Sequence, residues 1–109
     1  MSKIDLTRLI TADAKSAALA AQHSDAVKTE CRRRIFAVAD EMAQINLAAA
    51  AAAGTLDDTQ MQVYRQGLAW VSEMRAACQG LATDPQRNPG ADGEWPPLPD
   101  GLAALAGQF

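Results

Sequence analysis

The chain is poor in the residues that usually announce a chemistry. It has one histidine, two cysteines, and few aromatics: two tryptophans, two phenylalanines and one tyrosine in 109 residues. Cys31 and Cys78 are too few for a disulfide scaffold and lack any metal-ligand spacing, so both read as small buried hydrophobes, reduced in a cytosolic protein. His23 has no second histidine and no thiol near it in sequence, and reads as an exposed polar residue. There is no nucleophile motif, no glycine-rich phosphate loop and no metal constellation. Adjacent acids such as Asp40-Glu41 and Asp57-Asp58 do not face each other on a helix. The expectation is a protein that is not an enzyme, with no catalytic, cofactor-binding or metal-binding residues.

Other absences limit where the chain works. The N-terminus has no apolar segment of the signal-peptide kind, and no stretch approaches twenty uncharged apolar residues. The expectation is a soluble protein made in the cytoplasm, without a membrane partner. Ten basic residues against thirteen acidic ones give a formal charge of −3, which argues against a dedicated nucleic-acid binder.

What is abundant is alanine, the best helix former. Residues 11–53 contain neither proline nor glycine. Cys31, Ile35, Val38, Met42, Ile45, Ala49 and Ala52 alternate in steps of four and three, which keeps one apolar seam on one side of a helix. Val63, Gly67, Trp70, Met74, Ala77 and Leu81 repeat that alternation. Gly54 between them suits a left-handed helix stop, and Thr55-Leu56-Asp57-Asp58 resembles a capping box for the next start. The second helix is expected to run to about Ala82, where Thr83-Asp84-Pro85 ends it.

The predicted fold is therefore all-α: a long two-helix antiparallel hairpin over 11–83, preceded by a short arm over 1–10. A proline-rich tail over 84–109 follows, ending in a short helix. In the arm, Ile4, Leu6, Leu9 and Ile10 are costly to leave in water, and the segment is too short to be a stable helix alone. It reads as an extended docking arm offered to a partner, in the manner of an added strand, with Thr11 as the N-cap of the first helix. In the tail, Trp95 and Leu98 are the expected anchors. Asp100 caps the last helix, with Leu102, Leu105 and Phe109 on one face. Trp95 lies in Gly93-Glu94-Trp95-Pro96-Pro97-Leu98-Pro99, either seated on a partner's groove or folded back on its own helices as a clasp.

Lengths lead to a further expectation. Counting back from the turn pairs residue i with roughly residue 111 − i, setting Trp70 near Met42, Tyr64 near Leu47 and Cys31 near Cys78. Residues 13–27 then overhang the second helix, and their alanine side calls for a cover from another chain or the tail. Self-association in a closed ring is the common remedy. Arg32-Arg33-Arg34 spans a wide sector of the helix; it reads as a solvated face with local ion pairs or, more sharply, as an anion-binding contact.

Ile4-Asp5-Leu6-Thr7-Arg8-Leu9-Ile10-Thr11, Glu30-Cys31-Arg32-Arg33-Arg34-Ile35, Gly67-Leu68-Ala69-Trp70 and Met74-Arg75-Ala76-Ala77-Cys78 together resemble small phage and prophage tail-module proteins. The layout is similar to the helical part of phage tail-fibre assembly proteins, where an Ile-Thr-x-x-x-Lys opening (here Ile10, Thr11 and Lys15) leads into an alanine-rich helix and a Trp-centred helix follows. The resemblance implies a structural or adaptor component of a tail or tail fibre, found in the host cytoplasm and then in the virion. Its partners would be itself, as a homo-oligomer that could be a trimer, and another tail protein. The alternatives are a transient tail-fibre assembly chaperone and, from a different class, a small nucleic-acid-binding regulator using Lys28 and Arg32–Arg34. Ile4, Leu6, Leu9, Ile10, Arg32, Arg33, Arg34 and Trp95 are the candidate partner-binding residues.

Overall fold

The computed structural model describes residues 3–109, with side chains described from Thr11 onward. It is an all-α fold of four helices: α1 (Lys3–Val38), α2 (Glu41–Ala52), α3 (Asp58–Ala82) and α4 (Leu102–Ala106). A 3-10 turn, Asp92–Glu94, lies in the tail. Among the described residues there is no strand.

The N-terminal segment differs from the extended arm expected of it. Lys3–Ile10 is helical and continuous with α1, so Thr11 is not a cap. A short isolated helix is unstable because its nucleus is costly, but extending an existing helix adds a hydrogen bond for each residue fixed. The side chains of Ile4, Leu6, Leu9 and Ile10 lie outside the described residues.

The single helix expected over 11–53 is two helices, broken at Ala39-Asp40 and bent by 57°. Asp40 is the cause. Its backbone is extended and its carboxylate accepts from the Ala43 amide at 2.8 Å, the N-cap geometry. Aspartate competes for main-chain donors inside a helix and is favoured at its start. Gln44 Nε2 donates to the Ala39 carbonyl at 2.9 Å, satisfying an acceptor that the break would orphan. The bend also reassigns the apolar seam. Met42 and Ile45 are 63% and 58% exposed, whereas Ala43 and Leu47 are buried. Asp40→Ala should cost about 1 kcal/mol, as loss of an N-cap does, measured by urea unfolding; an unchanged midpoint would remove Asp40 as the cause of the bend.

Gly54 (φ 71°) behaves as the sequence leads one to expect. Its amide donates to Ala51 and that of Thr55 to Ala50, the two closing bonds of a Schellman stop. The next helix is capped by Asp57 and Gln60, each side chain bonding the other residue's backbone amide, rather than by Thr55 and Asp58. A glutamine side chain is long enough to reach back to the N-cap amide.

The later residues of α1 meet the earlier residues of α3, so the two run antiparallel: His23 reaches Leu81 and Cys31 reaches Met74. Val27, Cys31, Trp70, Met74, Leu81, Trp95 and Leu102 form the main core. A smaller cluster joins Leu47 to Leu105 and Ala106, with Val63 and Tyr64 against it. Tyr64 packs against the cluster that contains Leu47, but Trp70 belongs to the main core while Met42 faces solvent, because the bend carries α2 away from α3. Short α4 fills the resulting wedge, touching α1, α2 and α3. Gly101 (φ 82°), not Asp100, precedes its first turn without a side-chain cap. Leu98 and Phe109 are partly exposed, while Leu102, Leu105 and Ala106 are buried. The molecule measures 72 × 24 × 16 Å, a long rod because the first half of α1 extends past the end of α3.

Candidate functional site

The three consecutive arginines do different things. Arg33 pairs through Nε with Glu30 Oε2 at 2.9 Å. Arg34 lies half-buried, donating from Nε to Glu30 Oε1 at 2.9 Å and from its terminal nitrogen to Asp92 Oδ1 at 3.0 Å and the Gly90 carbonyl at 3.3 Å. Its guanidinium stands 5.6 Å from the Trp95 ring centroid, within cation–π range. Arg34 therefore ties the tail to α1, and its fork is occupied inside the molecule rather than offered to a partner. The Asp92 side is solvent-exposed, so that pair contributes little on its own; the ring contact and the Gly90 bond give it a fixed place.

Trp95 is a correction to the partner-groove reading. It is 7% exposed, at the core, with its indole Nε1 donating to the Pro89 carbonyl at 2.7 Å. Its ring closes over α1 and α3, the clasp alternative. Burying so large an apolar ring against the chain's own helices is favourable without any partner.

Hydrogen bonding to Arg33 is the foremost influence holding the Glu30 carboxyl below its ordinary value of 4.5; desolvation, next in size, opposes it, and the charge of Arg33 with the hydrogen bond and charge of Arg34 adds to the lowering. A depressed folded value means that this stabilisation is whole above the ordinary carboxylate value and disappears as pH falls through the folded one. Glu30→Gln should therefore melt below the wild type at pH 7, with the difference vanishing in strong acid. A difference that is constant with pH would rule out ionic linkage at Glu30.

Arg32 points elsewhere. It lines a surface cleft of about 460 Å³ between α1 and α3 together with Lys28, Arg75, Phe36, Cys31 and Cys78. Lys28, Arg32 and Arg75 make no ion pair among the described residues. Cys31 is buried, its thiol 3.7 Å from the Met74 carbonyl, and Cys78 is half-buried one turn beyond Met74. Burial, followed by the neighbouring Cys78 thiol, pushes the Cys31 thiol up to about 11. The expected closeness of Cys31 and Cys78 is thus present.

A second hollow of about 240 Å³ opens where α2 bends from α3, lined by Ile35, Val38, Leu47, Tyr64 and Trp70 and closed by Leu102. Exposed Leu68 stands on its rim. Sequence reasoning missed this hollow because it exists only through the bend. Along α1, residues 11–22 are exposed around the whole helix, including Leu19.

Among the described residues, no group of three or more His, Cys, Asp or Glu side chains could hold a metal ion. No single described helix is long and apolar enough to cross a membrane; α1 from Thr11 and α2 reach that hydropathy only together, across their bend. The chain matches no family model, no curated protein and no solved structure.

Proposed function

We propose that this chain is a non-enzymatic structural or adaptor component of a phage tail or tail fibre, acting through helix–helix association. The observation that supports it is the exposed stretch of α1 that runs past the end of α3. Residues 12–22 continue the helix with every residue exposed, whereas most helical stability in proteins comes from packing a face against a neighbour. Its Ala14, Ala17, Ala18 and Ala21 permit a second helix to approach closely. The phage setting comes from the resemblance of the sequence segments to tail-module proteins. Lys3–Ile10 enters the proposal as a continuation of the same helix, not as a strand.

The reading makes the protein a homo-oligomer, a trimer if it follows tail-fibre symmetry, joined to another tail protein. Light scattering at micromolar concentration is expected to report more than one copy, and deletion of residues 1–22 to return it to a monomer with α3 and the tail still folded. A stable full-length monomer would overturn association through α1. The protein inventory of purified particles tests the setting: presence supports a virion component, whereas absence from particles that need the protein to assemble would replace it by a chaperone.

A further inference from the structure

We propose that Cys31 and Cys78 are a reversible dithiol pair that closes into a disulfide between α1 and α3, and that the cationic cleft over them selects an anionic low-molecular-weight disulfide of the glutathione class as oxidant. Three observations meet at one place. The thiols sit on facing helices, and Cys78 packs against the cluster that contains Cys31. The Cys31 sulfur lies 3.7 Å from the main chain of α3 at Met74, a mark of close helix approach where a short cross-link requires it. Both cysteines line the same cleft as Lys28, Arg32 and Arg75, three cations without acidic partners among the described residues.

The order of steps follows from exposure. Cys78, half-buried at the cleft, attacks first as the thiolate, its proton passing through water to the small thiolate that leaves. One sulfur of the small disulfide bonds to Cys78, and the other leaves as a thiolate held by the cleft cations. Cys31, buried and with its thiol pushed up to about 11, is the resolving residue. Its proton passes to the departing thiolate as its sulfur bonds to Cys78 and displaces the second small thiol. Two protein thiols are oxidised, one small disulfide is reduced to two thiols, and no further electron acceptor is required. A small thiol in excess runs the sequence backwards. The closed form pins α1 to α3 across the loop that contains α2, constraining the unfolded chain.

The test uses the full chain, reduced and native, with oxidised glutathione and with uncharged hydroxyethyl disulfide at equal concentration. Intact mass should show loss of about two hydrogens with no adduct remaining, as formation of one disulfide requires. The melting temperature should rise by roughly 10 °C, and a small thiol should reverse both. Glutathione should react several-fold faster than the uncharged reagent, and that advantage should collapse in high salt and in Lys28→Gln/Arg32→Gln/Arg75→Gln. Cys31→Ser should stop at one glutathione on Cys78, while Cys78→Ser should stay unmodified while folded, with circular dichroism confirming the helices in each. Persistent adducts on both cysteines, intermolecular dimers, or reaction only after denaturation would overturn the pairing. Equal rates with the two reagents would overturn the cationic selection. A trivalent arsenical, which needs two neighbouring thiols, gives an independent readout: one equivalent bound to the native chain supports the pair, and none overturns it.

Discussion

Trp95→Ala should cost about 3–5 kcal/mol, the range for removing a buried aromatic, and should release residues 84–101 from α1. The ring packs into the main core beside Trp70, Met74 and Leu102, and its loss leaves both a cavity and two stranded partners. The Pro89 carbonyl would lose the indole donor, and Arg34 would lose the ring beneath its guanidinium. A domain of this size is stable by only about 5–15 kcal/mol, so much of the total is at stake. Trp95→Phe separates the contributions: it keeps most of the apolar area and drops the donor, for about 1–2 kcal/mol. Guanidinium unfolding followed by circular dichroism measures both, with Trp70 left as a fluorescent reporter of the core. A Trp95→Ala loss below about 1.5 kcal/mol, outside the range for a buried aromatic, would mean the tail is not part of the cooperative unit.

The tail can act as a folded layer because of what its prolines do to the chain. They preset φ and lower the entropy lost on ordering, and they remove main-chain donors while leaving carbonyls. Those carbonyls are where the tryptophans bind: Trp95 donates to Pro89, and Trp70 donates to Pro96 at 3.3 Å. Each indole thus gains a partner for its N–H without leaving the core, and the tail is fixed without a strand or a helix at either point.

These contacts also show which parts of the fold were legible in the sequence. The Gly54 stop and the end of α3 at Ala82 follow from local rules, a glycine with positive φ and a proline after a helix. The break at Asp40 follows from a local rule too, but it is masked. Neither glycine nor proline marks it, alanines stand near it on both sides, and an aspartate inside a helix resembles any surface acid. Once α2 turns away, Met42 and Ile45 leave the seam and Ala43 and Leu47 enter the core, so every inference that extended the first seam past Val38 is displaced. The same bend makes the wedge that α4 fills. The arginine run shows the converse limit: helical spacing separates the three side chains, but only the folded tail brings Asp92, Gly90 and Trp95 to Arg34.

The place where α4 enters that wedge is fixed by one close approach, and it yields a coupled prediction. A Cβ placed on Gly67 would lie 2.6 Å from Leu102 Cδ1, too near for the two to coexist without movement. Leu102 is buried and belongs to the main core, so Leu102→Ala should cost about 3 kcal/mol by lost burial and an open cavity. Gly67→Ala faces opposed effects. It should gain about 1 kcal/mol in helix propensity and lose about 1–3 kcal/mol by displacing the Leu102 side chain, for a net destabilisation. In Gly67→Ala/Leu102→Ala the overlap is gone while the propensity gain remains, and the new methyl occupies part of the cavity. The double variant should therefore be more stable than the sum of the singles by about 1–2 kcal/mol, as expected for residues in direct contact. Urea unfolding of the four proteins closes the cycle. Additivity within about 0.5 kcal/mol, the behaviour of independent sites, would show that Gly67 is not there to admit Leu102.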